Sequence, residues 1–327
     1  MRRSHLTTAL ACLLLVTLVM FRLHLGPGGW ALSIDAQVFA LRAEGVAIAA
    51  LAGTALAVAG LMMQGLFRNP LAEPGILGVG AGANLGGMLA MTLSELAAQR
   101  RTWLPNELYL VLGCLLGALL SLLVLLAVMR SLASSVTVLL TGVVLTTLFG
   151  SIGAVYRALI ADKWELSRAL FVFSMGDITG KGARHLLLAT PLVCVGIVAA
   201  LMLAPYLDML ASGEEEAATL GVDVHRVRSW SVVWTAWLVA TAVSIGGGVA
   251  FVGLLVPHVM RGLGSFYHRE LVITCALGGA ILLIACDCLS IAVDTRSTIP
   301  LGGITGLLGA PWFLILLLRN GKCTAWN

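Results

Sequence analysis

Six stretches of this chain, 45–67, 74–94, 108–129, 131–156, 186–207 and 297–318, contain no Asp, Glu, Lys or Arg at all. A bilayer core about 30 Å thick is crossed by roughly 20 apolar residues in a helix, so each stretch is the length of one crossing. A seventh uncharged run, 229–260, is 32 residues long. At about 1.5 Å per residue that helix would overshoot a single bilayer. Gly246, Gly247 and Gly248 are the place to break it into two. With 6–21 at the start and 271–293, interrupted by Asp287, ten spans are expected. An even number places both termini on the same side. Composition agrees: 59% of residues are hydrophobic and 11% are charged, against roughly a quarter charged in soluble domains.

Lys and Arg normally concentrate in cytoplasmic loops. With both termini inside, the 20 Lys and Arg of this chain divide equally between the two sides and leave the orientation open. The net charge of +4 is spread without a basic patch, which argues against nucleic acid as a partner. Arg2 and Arg3 precede the first apolar run as in a secretory signal, yet no small-residue cleavage site follows, so a retained span is expected. The 7 cysteines include no CxxC pair and read as packing residues.

No low-complexity or Pro/Ser-rich linker divides the chain, so residues 1–327 read as one membrane domain. The longest polar connections are 95–107, 157–185 and 208–228. Within the second, 169–175 is apolar but too short to cross, as suits an interfacial or re-entrant helix. Many of the 37 glycines lie inside spans, where small residues let helix backbones approach closely. The stretch 74–87, rich in glycine and opened by Pro74, is the best place for a broken helix lining a pathway.

Several motifs fail on context. The run Gly78-Val79-Gly80-Ala81-Gly82-Ala83 matches a loose dinucleotide pattern but sits in an apolar span, where a strand should precede and a soluble helix follow. The run 176–182 resembles a phosphate-binding loop one residue short, with no Ser or Thr after Lys181. There is no HExxH, no clustered Cys/His set and no GxSxG, so no metal site and no catalytic residue is expected. Asp287, deep in a span, is either an interhelical partner or a pathway residue.

The connection 207–222 is the most informative. Ser212 as N-cap with Glu215 three residues on predicts a capping box; Glu214, Glu215 and Glu216 favour the first turn, and Gly221 ends the segment. On physics alone this is a short solvated helix, and it is also the kind of rigid knuckle through which a soluble motor could push a membrane bundle.

The segment GLMMQGLFRNPLAEPGILG at 60–78 resembles the signature of the FecCD-type permeases, which serve bacterial importers of ferric siderophores, haem and cobalamin. Three further segments agree: GEEEAATLG at 213–221 resembles that family's ATPase-coupling helix, FVGLLVPH at 251–258 a late block, and GLLGAPWF at 306–313 the last helix. The resemblance implies an all-α, ten-helix permease of the cobalamin-importer kind, a type II ABC importer, in the bacterial inner membrane with both termini cytoplasmic. It implies cytoplasmic ATP-binding subunits that use the ATP, so no cofactor on this chain, a second permease subunit as homo- or heterodimer partner, and a periplasmic binding protein. Residue by residue, Ser212, Gly213, Glu214, Glu215, Glu216, Leu220 and Gly221 would meet the ATPase. Ser134, Ser135 and Thr141 match the gate region, with Gly78, Gly80 and Gly82 beside the pathway; Arg42 and Arg296 match positions that dock the binding protein. The family's Pro and second Arg near Arg42 stand here as Glu44 and Gly45, and the Glu expected before Pro300 is absent. The expected function is import of an iron(III)–siderophore-type chelate by alternating access, with haem or cobalamin as alternatives. An ion-coupled secondary transporter or an intramembrane enzyme would instead require several buried ionisable groups.

Overall fold

The computed structural model describes residues 2–26, 29–30, 35–99, 105–131, 135–264, 267–293 and 299–320. Twelve α-helices carry almost all of them: α1 (Arg2–His24), α2 (Ala36–Leu66), α3 (Val79–Gln99), α4 (Asn106–Ser131), α5 (Ser135–Leu159), α6 (Trp164–Met175), α7 (Ala183–Ser212), α8 (Glu214–Thr219), α9 (Val224–Gly246), α10 (Val252–Gly262), α11 (His268–Val293) and α12 (Leu301–Asn320). A two-residue hairpin, β1 (Leu25–Gly26) with β2 (Gly29–Trp30), joins α1 to α2. A 3-10 turn, Pro74–Leu77, precedes α3.

Each of the ten expected spans contains a helix among its described residues. Seven of them, α1, α2, α4, α5, α7, α9 and α11, are long and apolar enough to cross a membrane by length and composition. The run 229–260 is indeed broken, with α9 ending at Gly246 and α10 starting at Val252. With 11 residues, α10 is about 16 Å long, roughly half a bilayer. The short apolar stretch at 169–175 belongs to α6, a 12-residue helix that buries Leu166, Leu170 and Phe173.

The helix α2 is the axis of the bundle, with almost every residue from Val46 to Leu66 buried or nearly so. Oil gives no hydrophobic drive between helices in a bilayer, so close backbone approach and polar links must supply the adhesion. Where α2 crosses α11, a Cβ built on Gly53 would lie 2.1 Å from the Gly279 carbonyl oxygen, and the reverse holds for Gly279. The hydroxyl of Thr54 donates to the Ala276 carbonyl at 2.9 Å in the same crossing. The α3–α4 pair repeats the device, with Gly86 facing Gly113 and Gly82 facing Gly117.

The first helix has no such groove to lie in, and its Leu6, Leu10, Leu13 and Leu14 are exposed, as fits a lipid-facing surface. It is pinned instead by charge. Arg22 Nε donates to Asp287 Oδ2 at 2.5 Å, with both residues buried, and Arg22 also donates to the Leu25 carbonyl. Asp287 is therefore an interhelical partner, joining α11 to α1. Trp30 of the hairpin packs on Phe21 and His24, closing the same corner.

Removing one partner of a buried ion pair leaves the other charge uncompensated, at a cost of about 3–5 kcal/mol, whereas an apolar pair of similar size is often neutral. Asp287→Ala is expected to lower the thermal midpoint of the detergent-purified chain sharply, and the double variant Arg22→Leu/Asp287→Leu to recover most of the loss. Monodispersity after graded heating, followed by size-exclusion chromatography, measures both.

Candidate functional site

The break between α9 and α10 leaves the carbonyls at the end of one helix and the N–H groups at the start of the other without intrahelical partners. Each end is met by a side chain of matching charge. Lys181 Nζ donates to the carbonyls of Ile245 at 2.5 Å and Ser244 at 3.4 Å, a cation at the negative end of α9. Its ammonium also lies 5.7 Å from the centre of the Phe173 ring. Burial lowers the Lys181 pKa to about 8, with the nearby Asp177 carboxylate opposing the shift. At the other end, the backbone N–H of Phe251 donates to Glu73 Oε1 at 2.6 Å, a carboxylate at the positive end of α10. Phe251 has a φ of 65°, the left-handed region that a non-glycine residue enters only under constraint. Glu73 is extended, φ −122° and ψ 137°, as the residue before Pro74 must be.

The segments 60–78 and 251–258 thus meet as one junction. Gln64 Nε2 donates to the carbonyls of Gly253 and Leu254 at 3.2 and 3.3 Å, and Arg261 donates to Gln64 Oε1. Gly253 packs so closely on Gly60 that a Cβ on the latter would lie 2.0 Å from the Gly253 oxygen. No spacing rule pairs these segments, so Glu73 and Gln64 had no sequence signal beyond lying in the first motif.

A groove of about 580 Å³ opens beside this junction, bounded by the 3-10 turn, α3, α5 and the 248–253 segment. That volume lies within the range of small-molecule sites. Its lining is mostly apolar or glycine; the polar side chains on it are Asn84, Thr146, Thr147 and Ser174, and the ionisable ones Glu73 and Arg157. The Thr146 hydroxyl reaches the Gly75 carbonyl at 3.2 Å, linking α5 to the 3-10 turn. Away from the groove α5 is bare, with Leu140, Val144, Leu148 and Val155 exposed.

The expected pathway residues separate in space. The stretch 74–87 is a broken helix, turning at Gly78 with a φ of 77°. Gly80 lines the groove, whereas Gly82 faces Gly117 and Ser121 of α4. Residues two apart on a helix point about 200° from one another, which accounts for the split. Thr141 donates to the Thr137 carbonyl of its own helix. Ser135 is the first residue of α5, and Ser134 lies outside the described residues. Arg42 donates to the Leu23 carbonyl at 2.9 Å, bracing α2 against the end of α1, and Arg296 lies outside the described residues.

The acidic helix α8 exists, but the expected capping box does not. Helix α7 runs on to Ser212, so that residue is helical and has no free N-cap geometry; Gly213, φ 142° and ψ 151°, makes the corner and caps α8 without a side chain. At the far end the N–H of Val222 donates to the Ala217 carbonyl and that of Gly221 to Ala218, both at 3.0 Å, a Schellman closure. Ala217 is buried, while Glu214, Glu215, Glu216 and Leu220 are exposed. Glu214 Oε1 accepts from Arg228 at 2.6 Å, fastening α8 to α9.

A polytopic helical membrane protein, with a groove between interrupted helices and a short acidic knuckle at one end, has the build of a transport permease. The FecCD transport family profile matches residues 9–319. The chain is 36% identical over 86% of its length to the hemin transport system permease protein HmuU of Yersinia pestis, and 33% identical over 83% to the Fe(3+) dicitrate transport system permease protein FecD of Escherichia coli (strain K12); each alignment covers 82% of the relative. The cobalamin import system permease protein BtuC of Halobacterium salinarum is 35% identical over 85% of this chain and 72% of its own. A solved structure assigned to the metal-chelate type of ABC transporter, in an inward-facing conformation, superposes with a TM-score of 0.84 at 27% identity, covering 97% of this chain and 99% of that one. The chain belongs to the FecCD transport family, the permeases of ABC importers.

Loss of a helix-capping acceptor costs about 1–2 kcal/mol. Glu73→Ala, which uncaps the constrained Phe251, is expected to destabilise the chain by that amount, and Glu73→Gln, which keeps an acceptor oxygen, by less. Thermal midpoints of the two purified variants against the parent check the order.

Proposed function

We propose that this chain is the permease subunit of an importer that carries an iron(III)–siderophore-type chelate across the bacterial inner membrane by alternating access, driven by partner ATPases. The observation that carries the reading is the exposed acidic helix α8, braced through Glu214 and Arg228, on a chain that matches an importer family from residue 9 to 319. Relatives named for ferric dicitrate, hemin and cobalamin share comparable identity, 33%, 36% and 35%. Their common feature is a bulky metal chelate, and haem or cobalamin is the second choice of cargo.

In this reading residues 1–327 form one permease domain with both termini in the cytoplasm. Cytoplasmic ATP-binding subunits dock at 207–222, on Ser212, Gly213, Glu214, Glu215, Glu216, Leu220 and Gly221, and they use the ATP, so this chain carries no cofactor. A second permease subunit, identical or a sister chain, packs against the exposed side of α5. A periplasmic binding protein delivers cargo at the end bearing Arg42 and Arg296. ATP binding moves α8, and the move alters the groove lined by Gly80 and by Thr146 and Thr147 of α5, with Gly78, Ser134, Ser135 and Thr141 as the gate residues of this reading. The sparse polar lining suits a path that a large chelate slides through, leaving selectivity to the binding protein.

An ion-coupled transporter would need free ionisable groups within the spans, and Asp287 is held by Arg22. In vesicles, uptake by the complex is expected to require the co-encoded ATPase and to stop with vanadate; transport by the purified chain alone on an ion gradient would overturn the reading. Replacing Gly213, Glu214 and Glu215 together is expected to abolish uptake while membrane insertion, read by fractionation, stays at the parental level.

A further inference from the structure

Between the α8 knuckle and the groove lies a polar contact that neither the sequence motifs nor the groove accounts for. Asp208 sits near the end of α7, just before the Gly213 corner. One of its oxygens, Oδ1, accepts twice from the first residue of α11: from the His268 backbone N–H at 3.0 Å and from the ring Nδ1 at 2.6 Å. For Nδ1 to donate to a carboxylate it must carry the proton, so the carboxylate fixes the ring's orientation. The His268 side chain is 8% exposed. Its other nitrogen, Nε2, has no hydrogen-bond partner among the described residues and faces the end of α2, where a Cβ built on Gly65 would lie only 2.5 Å from it. A buried polar atom left unpaired against a backbone with no room for a methyl group is costly, and simple packing would be served better by an apolar side chain.

The neighbour of Gly65 is Gln64, whose amide holds the Gly253 and Leu254 carbonyls at the start of α10, beside the groove. The chain of contacts is therefore continuous: α8 to α7 through Gly213, α7 to α11 through Asp208 and His268, α11 to α2 at Gly65, and α2 to the α10 end of the groove through Gln64. We propose that Asp208 and His268 form a rigid strut that transmits displacement of α8 to the end of α2, making both of them positioning residues for energy coupling. The proposal rests on the reading of α8 as the ATPase contact. Packed, oriented contacts of this kind carry a displacement where a flexible apolar contact would absorb it.

The test needs no knowledge of the cargo. In the complete complex with its co-encoded subunits, reconstituted in nanodiscs, a Thr147→Cys reporter is placed in the groove. Its rate of reaction with a water-soluble maleimide is measured without nucleotide and after trapping with ATP and vanadate. With the strut intact the rate is expected to change at least tenfold on trapping. With Asp208→Ala or His268→Ala the change is expected to shrink below twofold while vanadate still traps nucleotide on the ATPase. His268→Asn, whose amide N–H takes the place of Nδ1–H, is expected to restore it. Gly65→Ala, which pushes a methyl group into Nε2 and leaves both polar residues in place, is expected to reproduce the defect, and it decides the matter if the alanine variants fail to insert. A tenfold response retained in the alanine variants, or in Gly65→Ala in that event, overturns the strut. Loss of vanadate trapping in them places the defect at the ATPase contact and likewise overturns it. An unresponsive reporter in the parent complex overturns the ATP-driven reading of α8 and the strut with it.

Discussion

Within a bilayer there is no water to complete a backbone hydrogen bond, so every interruption of a helix must be completed by the protein itself. Among the described residues, helices are interrupted at 74–78 and at 247–251, and both interruptions border the groove. The side chains that complete the second of them are ionisable. Lys181 sits on the carbonyl end of α9 and Glu73 on the amide end of α10, each with the sign that the helix dipole favours. Lys181 and Glu73 thus complete the two ends of the break between α9 and α10.

The rest of the bundle is arranged to keep those breaks in register. Helix α2 can be buried on nearly all sides because glycine faces let α10 and α11 approach its backbone directly. Close-packed interiors of this kind switch between discrete arrangements more readily than they deform. Gln64 and Thr54 then add directional bonds at the crossings, so that α2 carries position as well as bulk.

Much of this was legible in the sequence, for specific reasons. Charge-free runs mark spans because a bilayer tolerates few charges, and the 32-residue run had to break since it overshot the membrane. Pro74 and Gly78 announced the other interruption through their own backbone preferences. Ser212 was misleading because the S-x-x-E pattern presumes a chain that arrives non-helical, whereas α7 continues through the serine. Glu73 and Asp287 could not be assigned, as their partners lie 178 and 265 residues away and nothing local encodes such a pairing. The fold was therefore readable from periodicity and length, while the site depended on contacts between distant segments.

The separation of Arg22 from Asp287 also bears on how the polypeptide enters the membrane. Ribosomes add roughly 5–20 residues per second, so the 265 residues between the two take about 13–53 s to appear. Throughout that interval the first helix emerges with a guanidinium and no counter-charge. Because Arg22 lies in the last turn, its long stem can reach up to the headgroup layer and wait there in water. Only when the eleventh helix inserts does the arginine meet its counter-charge, so the contact between α1 and α11 is made late in synthesis.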